Sequence, residues 1–223
     1  MNFMQFLKSL DDLLYEIITW IVFYPITLWR TIRRPFEMMA YADSELRDPP
    51  ERQYPDVLSP PIFLLLTLFL AHMIELALVG ENPIVADRKG LAGLINDDTS
   101  LLLMRLVFYA VFPLIMSVRL LRRQRRRITR DSLRQPFYAQ CYPTGVFALA
   151  LGLGTLAMQM HGSPALVLAG AAVDLVALLG YGTLQTLWFS RNLQISVLRG
   201  FAAATRGMIE SLFVFVLVSA LLA

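Results

Sequence analysis

The chain has 223 residues, of which 57% are hydrophobic and only 17% charged, with a mean hydropathy of +0.56. A soluble domain of this size carries about 25% charged residues and needs far less apolar sequence to fill its core. Net charge is +3, yet the basic residues cluster beside apolar runs without interleaved aromatics, so no nucleic-acid partner is expected. One cysteine, Cys141, excludes an intramolecular disulfide and a cysteine-built metal cage.

The N-terminal stretch, with Lys8 followed by Asp11, Asp12 and Glu16, has no small-residue cleavage pattern, and no cleaved signal peptide is expected. Residues 13–29 are apolar but short and interrupted by Pro25. The polar positions Glu16, Thr19, Thr27, Arg30 and Arg34 fall along one stripe, with Trp20 and Trp29 placed to sit at headgroup level. This predicts an amphipathic interfacial helix over 12–32, with a sixth span as the alternative. Residues 33–58 read as a proline-rich linker of mixed charge, without a packed domain.

Five apolar runs of spanning length follow, at 61–79, 101–121, 145–160, 165–189 and 203–223. Pro60 and Pro61 suit a first helical turn, and Pro113 is placed to kink the second span. The expected fold is an all-α polytopic transmembrane bundle: an N-terminal region, 1–57, then a five-helix domain, 58–223.

Loop charge sets the orientation. Glu81, Asp87, Asp97 and Asp98 outweigh Arg88 and Lys89 after the first span. Arg119 to Arg134 carries a single acid, Asp131. The arginine-rich loop is therefore expected in the cytoplasm and the C-terminus outside, with a bacterial inner membrane as the expected location.

Ionisable groups inside spans are costly and become functional candidates. His72 and Glu75 share a helix face, and Arg105 and Asp174 lie on the second and fourth spans. Counting about 1.5 Å per residue pairs Glu75 with Arg105 and His72 with Asp174. Such contacts either line a proton or substrate path or hold helices in register. His72, Glu75 and Asp174 make a poor metal set, and no catalytic, cofactor or metal residue is assigned; His161 reads as an ordinary interfacial residue. Arg122, Arg123, Arg125, Arg126, Arg127, Arg130 and Arg134 exceed what topology needs and are expected to contact anionic lipid or an acidic partner. Gly145, Gly152 and Gly154 on the third span, and Gly170, Ala171, Gly180 and Gly182 on the fourth, are expected to let those two helices pack closely.

Three stretches resemble the Yip-type superfamily of small membrane proteins, whose bacterial members often carry permease labels. They are "FYPITLWRTIRRPFEMM" (Phe23 to Met39), "YPDVLSPPIFLLLTLFLAH" (Tyr54 to His72) and "YGTLQTLWFSRNLQISVLRGFAAATRG" (Tyr181 to Gly207). The resemblance implies five spans with a cytoplasmic N-terminus, and no catalytic residues. The eukaryotic members' Asp-Leu-Tyr-Gly-Pro signature is absent, so no small-GTPase partner carries over. The favoured function is a non-enzymatic membrane scaffold or accessory subunit that binds lipid and a partner protein or a second copy. A small permease using His72, Glu75 and Asp174 is the alternative, and an intramembrane lipid-modifying enzyme the third.

Overall fold

The computed structural model describes residues 3–79, 98–160 and 163–222, and every regular element among them is helical. In chain order these are α1 (Phe3–Arg33), α2 (Pro35–Glu45), a short 3-10 turn (Pro50–Arg52), α3 (Pro60–Val79), α4 (Asp98–Arg123), α5 (Arg130–Gln159), α6 (Pro164–Leu193) and α7 (Val197–Leu222). Of the expected 81–100 loop, residues 81–97, with Glu81, Asp87, Arg88, Lys89 and Asp97, lie outside the described residues, as do His161 and Gly162, while Asp98 to Ser100 begin α4.

Apolar chain in a bilayer must satisfy its backbone internally, and helices do so within one segment. Five segments are long and apolar enough to cross: Lys8–Arg33, Pro60–Leu78, Met104–Arg123, Arg130–Gln159 and Pro164–Leu193. The protein is an all-α membrane bundle. The N-terminal helix qualifies by length and composition, and Pro25 sits inside an unbroken helix of 31 residues. The expected 203–223 span is helical through Leu222 as part of α7.

The helix ends follow from sequence chemistry. Prolines open α2, α3 and α6, where the first turn has no use for an amide donor. Thr129 caps α5 in a reciprocal box with Ser132: each side chain accepts from the other residue's backbone N–H. That cap starts α5 fifteen residues before the expected span at 145, and Pro136 and Pro143 lie inside the helix. Arg125 and Gln194 end α4 and α6 in left-handed backbone, at φ 55° and 52°.

We call the end where α3 and α5 begin basal and the opposite end apical. α5 packs against α2, α3, α4 and α6, and α7 closes onto α4 and α6. The α5–α6 register is set by three levels. Basally, Gln140 and Gln185 exchange two side-chain hydrogen bonds of 3.0 and 2.6 Å, both residues fully buried. Next, the Thr144 and Tyr181 hydroxyls share a bond of 3.3 Å. Apically, Gly154 and Gly170 bring the helices into backbone contact: a Cβ on either would overlap the other's carbonyl oxygen. The remaining glycines do not join this seam as expected. Gly145 receives the Phe63 ring of α3, Gly182 faces Met208 of α7, and Gly180 opens onto empty space.

Two findings reshape the N-terminal region. The 33–58 linker is folded rather than open: α2 buries Met38, Met39 and Ala42 against the bundle, and Val57 and Leu58 are buried behind it. Its apolar positions, not its prolines, decide its placement. α1 crosses the bundle instead of running along it. Thr27 accepts the Leu58 N–H at 3.0 Å, and Tyr24 stacks on Phe63 at 5.6 Å. Near the end of α1, Thr31 and Ile32, with Pro35 at the start of α2, line one cavity with Pro143 and Val146. These contacts fall within about two turns of α3 and of α5. Beyond them, Lys8 to Ile18 are all exposed, and we call this part of α1 the arm.

Candidate functional site

The apical half of α3 presents His72 and Glu75 to α4. Three residues apart, they lie on one helix face and meet Arg105 together. Arg105 Nη1 is 2.5 Å from Glu75 Oε2 and 3.4 Å from His72 Nδ1. A guanidinium can only donate, so Nδ1 accepts in that contact and the ring proton belongs on Nε2. His72 is 3% exposed, and its Nε2 has no hydrogen-bond partner among the described residues. Breaking such a buried pair by removing one partner costs about 3–5 kcal/mol, because a charge is left stranded.

Asp174 is not part of this contact. The expected His72–Asp174 pair is replaced by Arg105 on the histidine side, while Asp174 lies over Gly154 on the α5–α6 seam. Its Oδ2 accepts from the Thr155 hydroxyl at 3.4 Å, and Oδ1 is buried without a hydrogen-bond partner among the described residues. Level counting along separate helices does not give rotation about the axis: His72 meets Arg105 of α4, and Asp174 meets Thr155 of α5. Thr155, Glu75, Arg105, Tyr109 and Gln159 line a cavity of about 430 Å³ between α3, α4 and α5. Packed rings lie elsewhere in the bundle. Phe112, Phe147 and Tyr181 lie in mutual contact, with Phe147 and Tyr181 stacked at 4.5 Å, and Phe63 packs on Tyr142.

A second ion pair was missed. Arg119 of α4 bonds Glu210 of α7 at 2.6 Å, where Gly207 lets α7 approach Met116. The signal was present in the sequence, since Glu210 lies inside the apolar run at 203–223 and Arg119 inside that at 101–121.

At the basal end Arg30 and Tyr41 both donate to Asp56, each at 2.6 Å, tying α1, α2 and the approach to α3. Burial works against the Asp56 carboxylate, but those two hydrogen bonds and the Arg30 charge outweigh it and hold the carboxyl below its usual range. Tyr41 and Tyr54 are pushed above the ordinary tyrosine range, chiefly by burial. Asp43 is pushed up to about 6 by burial, with Gln135 and Arg47 only partly opposing.

The seven arginines of the basic segment are split by the fold. Arg122 and Arg123 finish α4, Arg125, Arg126 and Arg127 form the turn, and Arg130 and Arg134 begin α5. All seven are exposed, and none is ion-paired with a described carboxylate. Arg134 lies 5.3 Å from the Tyr138 ring. Among the described residues no three His, Cys, Asp or Glu side chains gather as a metal site. No family model, curated protein or solved structure matches the chain, so the likeness to Yip-type proteins stands on its three sequence stretches alone.

Proposed function

We propose that the protein is a non-enzymatic scaffold or accessory subunit of a membrane, with its basal end on the cytoplasmic side and α1 lying in that interface. The supporting observation is the arm: Lys8 to Ile18 are exposed, and they pair an apolar face, Leu10, Leu13, Leu14, Ile17 and Ile18, with a polar stripe of Lys8, Asp12 and Glu16. An amphipathic helix of this kind buries its apolar side in the headgroup boundary and offers its polar side to a partner. The exposed arginines of the α4–α5 turn favour anionic lipid.

The test places a photo-crosslinking residue at Glu16 on the arm and, separately, at Leu168 on the exposed apical part of α6. Crosslinks to one protein species from Glu16, absent from Leu168 and accompanied by co-purification at fixed stoichiometry, support the scaffold. A chain that purifies bare, with no protein crosslink from Glu16 and no preference for anionic lipid, sinks it.

A second reading, a small permease, is favoured by the polar cavity at Glu75 and Arg105. It expects solute flux that His72→Ala or Asp174→Asn abolishes while the fold is spared. Full flux in both variants removes the relay.

A further inference from the structure

Where α1 meets α2, a groove opens on the outward side of α5 and α6. Its upper part is a cavity of about 600 Å³ bordered by Ile32, Val146, Ala150 and Val176. Its lower part, of about 460 Å³, continues past Phe36, Thr183 and Leu187. The two share Pro35, Val176, Gly180 and Leu184, so they form one channel along α6. These sizes are those of small-molecule sites, about 300–1,000 Å³. Among the residues lining both parts none is charged.

The basal mouth is different. Arg191 lies one helical turn beyond Leu187 on the same face of α6, and its guanidinium is 4.1 Å from the Phe36 ring centre. The side chain is thus held back toward the groove rather than extended away from it. No described carboxylate pairs with it, and its donors are left for an outside acceptor. Apolar walls within the bilayer, ending at one aromatic-stacked arginine at interface level, match one chemistry: an apolar tail joined to an anionic headgroup. Gly180 forms the bare middle of the channel, since nothing lies within 4 Å of where its Cβ would stand.

We infer that this groove holds one anionic phospholipid of the bilayer, with an acyl chain along Val146, Ala150, Val176 and Gly180 and the phosphate at Arg191. This rests on the basal end lying at a membrane interface, and it is separate from the arginine-rich turn between α4 and α5. The bound lipid would fill the space under the α1–α2 elbow and brace that elbow against α6.

The test reconstitutes the full chain in nanodiscs of equal phosphatidylglycerol and phosphatidylcholine, extracts it gently and weighs retained lipid by native mass spectrometry. Wild type is expected to keep phosphatidylglycerol in preference. Arg191→Gln should lower that preference about fivefold, the factor set by one basic residue near an anionic surface. Gly180→Phe should fill the channel and lose the lipid whatever its headgroup. Because Gly180 faces open space, this variant should melt no lower than wild type when both are compared in lipid-free detergent, which separates a blocked groove from a broken fold. Equal retention in wild type and Gly180→Phe overturns the inference. So does phosphatidylglycerol retention that only loop substitutions at Arg122 to Arg134 remove, which would leave lipid binding by the scaffold intact. A wild type that carries a crosslinked partner but no lipid overturns the groove alone.

Discussion

Replacing Gln140 by Leu isolates the energetics of the α5–α6 seam. Each glutamine is fully buried and spends one donor and one acceptor on the other. Leu is one bond shorter than Gln but of similar volume and without polar atoms, so most of the space stays filled. Gln185 is then left with a buried amide group deprived of both bonds. An unsatisfied buried group costs about 1–3 kcal/mol, which puts the single variant at about 2–3 kcal/mol of destabilisation. The double variant Gln140→Leu, Gln185→Leu has no stranded group and should return to within about 1 kcal/mol of wild type. Two such single losses sum to about 4–6 kcal/mol, so the two changes couple by about 3–6 kcal/mol of opposite sign to their separate effects. Chemical unfolding in mixed micelles reads this out through the buried Trp188, which packs on Phe189 one turn from Gln185. A double variant as unstable as the sum of the singles refutes the reasoning, because the amides would then be bonded elsewhere.

Gly154→Ala drives a methyl group into the Asp174 carboxylate and the Gly170 carbonyl, and should cost more than about 2 kcal/mol in thermal unfolding. Gly180→Ala meets nothing and should instead gain up to about 1 kcal/mol from helix propensity; similar melting of the two would contradict the seam. Asp43 keeps its proton to about pH 6 when folded but loses it near 3.8 when unfolded. Its folded pKa is raised, so the unfolded state binds fewer protons across that window and stability falls as pH rises. Discounted for partial exposure, the loss should be about 1–2 kcal/mol, and Asp43→Asn should flatten the profile between pH 4 and 6. Converting the seven arginines from Arg122 to Arg134 to Gln should reduce binding of the detergent-solubilised chain to phosphatidylglycerol vesicles by up to about 1 kcal/mol per residue. Unchanged sedimentation would assign that surface to topology alone.

Hydropathy found the bundle because an uninterrupted apolar run has few other uses. It misplaced the start of α5, where Gln140, Pro136 and Pro143 lower the apolar signal although the helix continues through them. The Thr129–Ser132 cap marked the true start, yet it is a local hydrogen-bond device that a hydropathy window averages away. α2 was hidden because it is a helix of only 11 residues set among prolines and charges, and only the surface of α5 gives Met38, Met39 and Ala42 something to bury against. For the polar cluster, sequence spacing carried depth, which is one-dimensional along each helix. It could not carry rotation about the helix axis, and that is what separates His72 from Asp174. Glu210 was legible as a carboxylate within an apolar run; its partner was not, because Arg119 precedes it by 91 residues.

Leu58 fastens three parts of the chain at a single residue. Its N–H is held by Thr27 of α1, and its carbonyl accepts from the Tyr142 hydroxyl of α5 at 2.7 Å. The first fastening joins segments made early and the second waits for a side chain 84 residues further on. During synthesis the N-terminal region can thus dock on α3 while Leu58 still lacks its carbonyl partner. Arrival of α5 then locks α3 in place and creates the face against which α2 folds. A chain stalled before Tyr142 would expose that unlatched intermediate, with α1 attached and α2 uncovered, as the form most open to proteolysis.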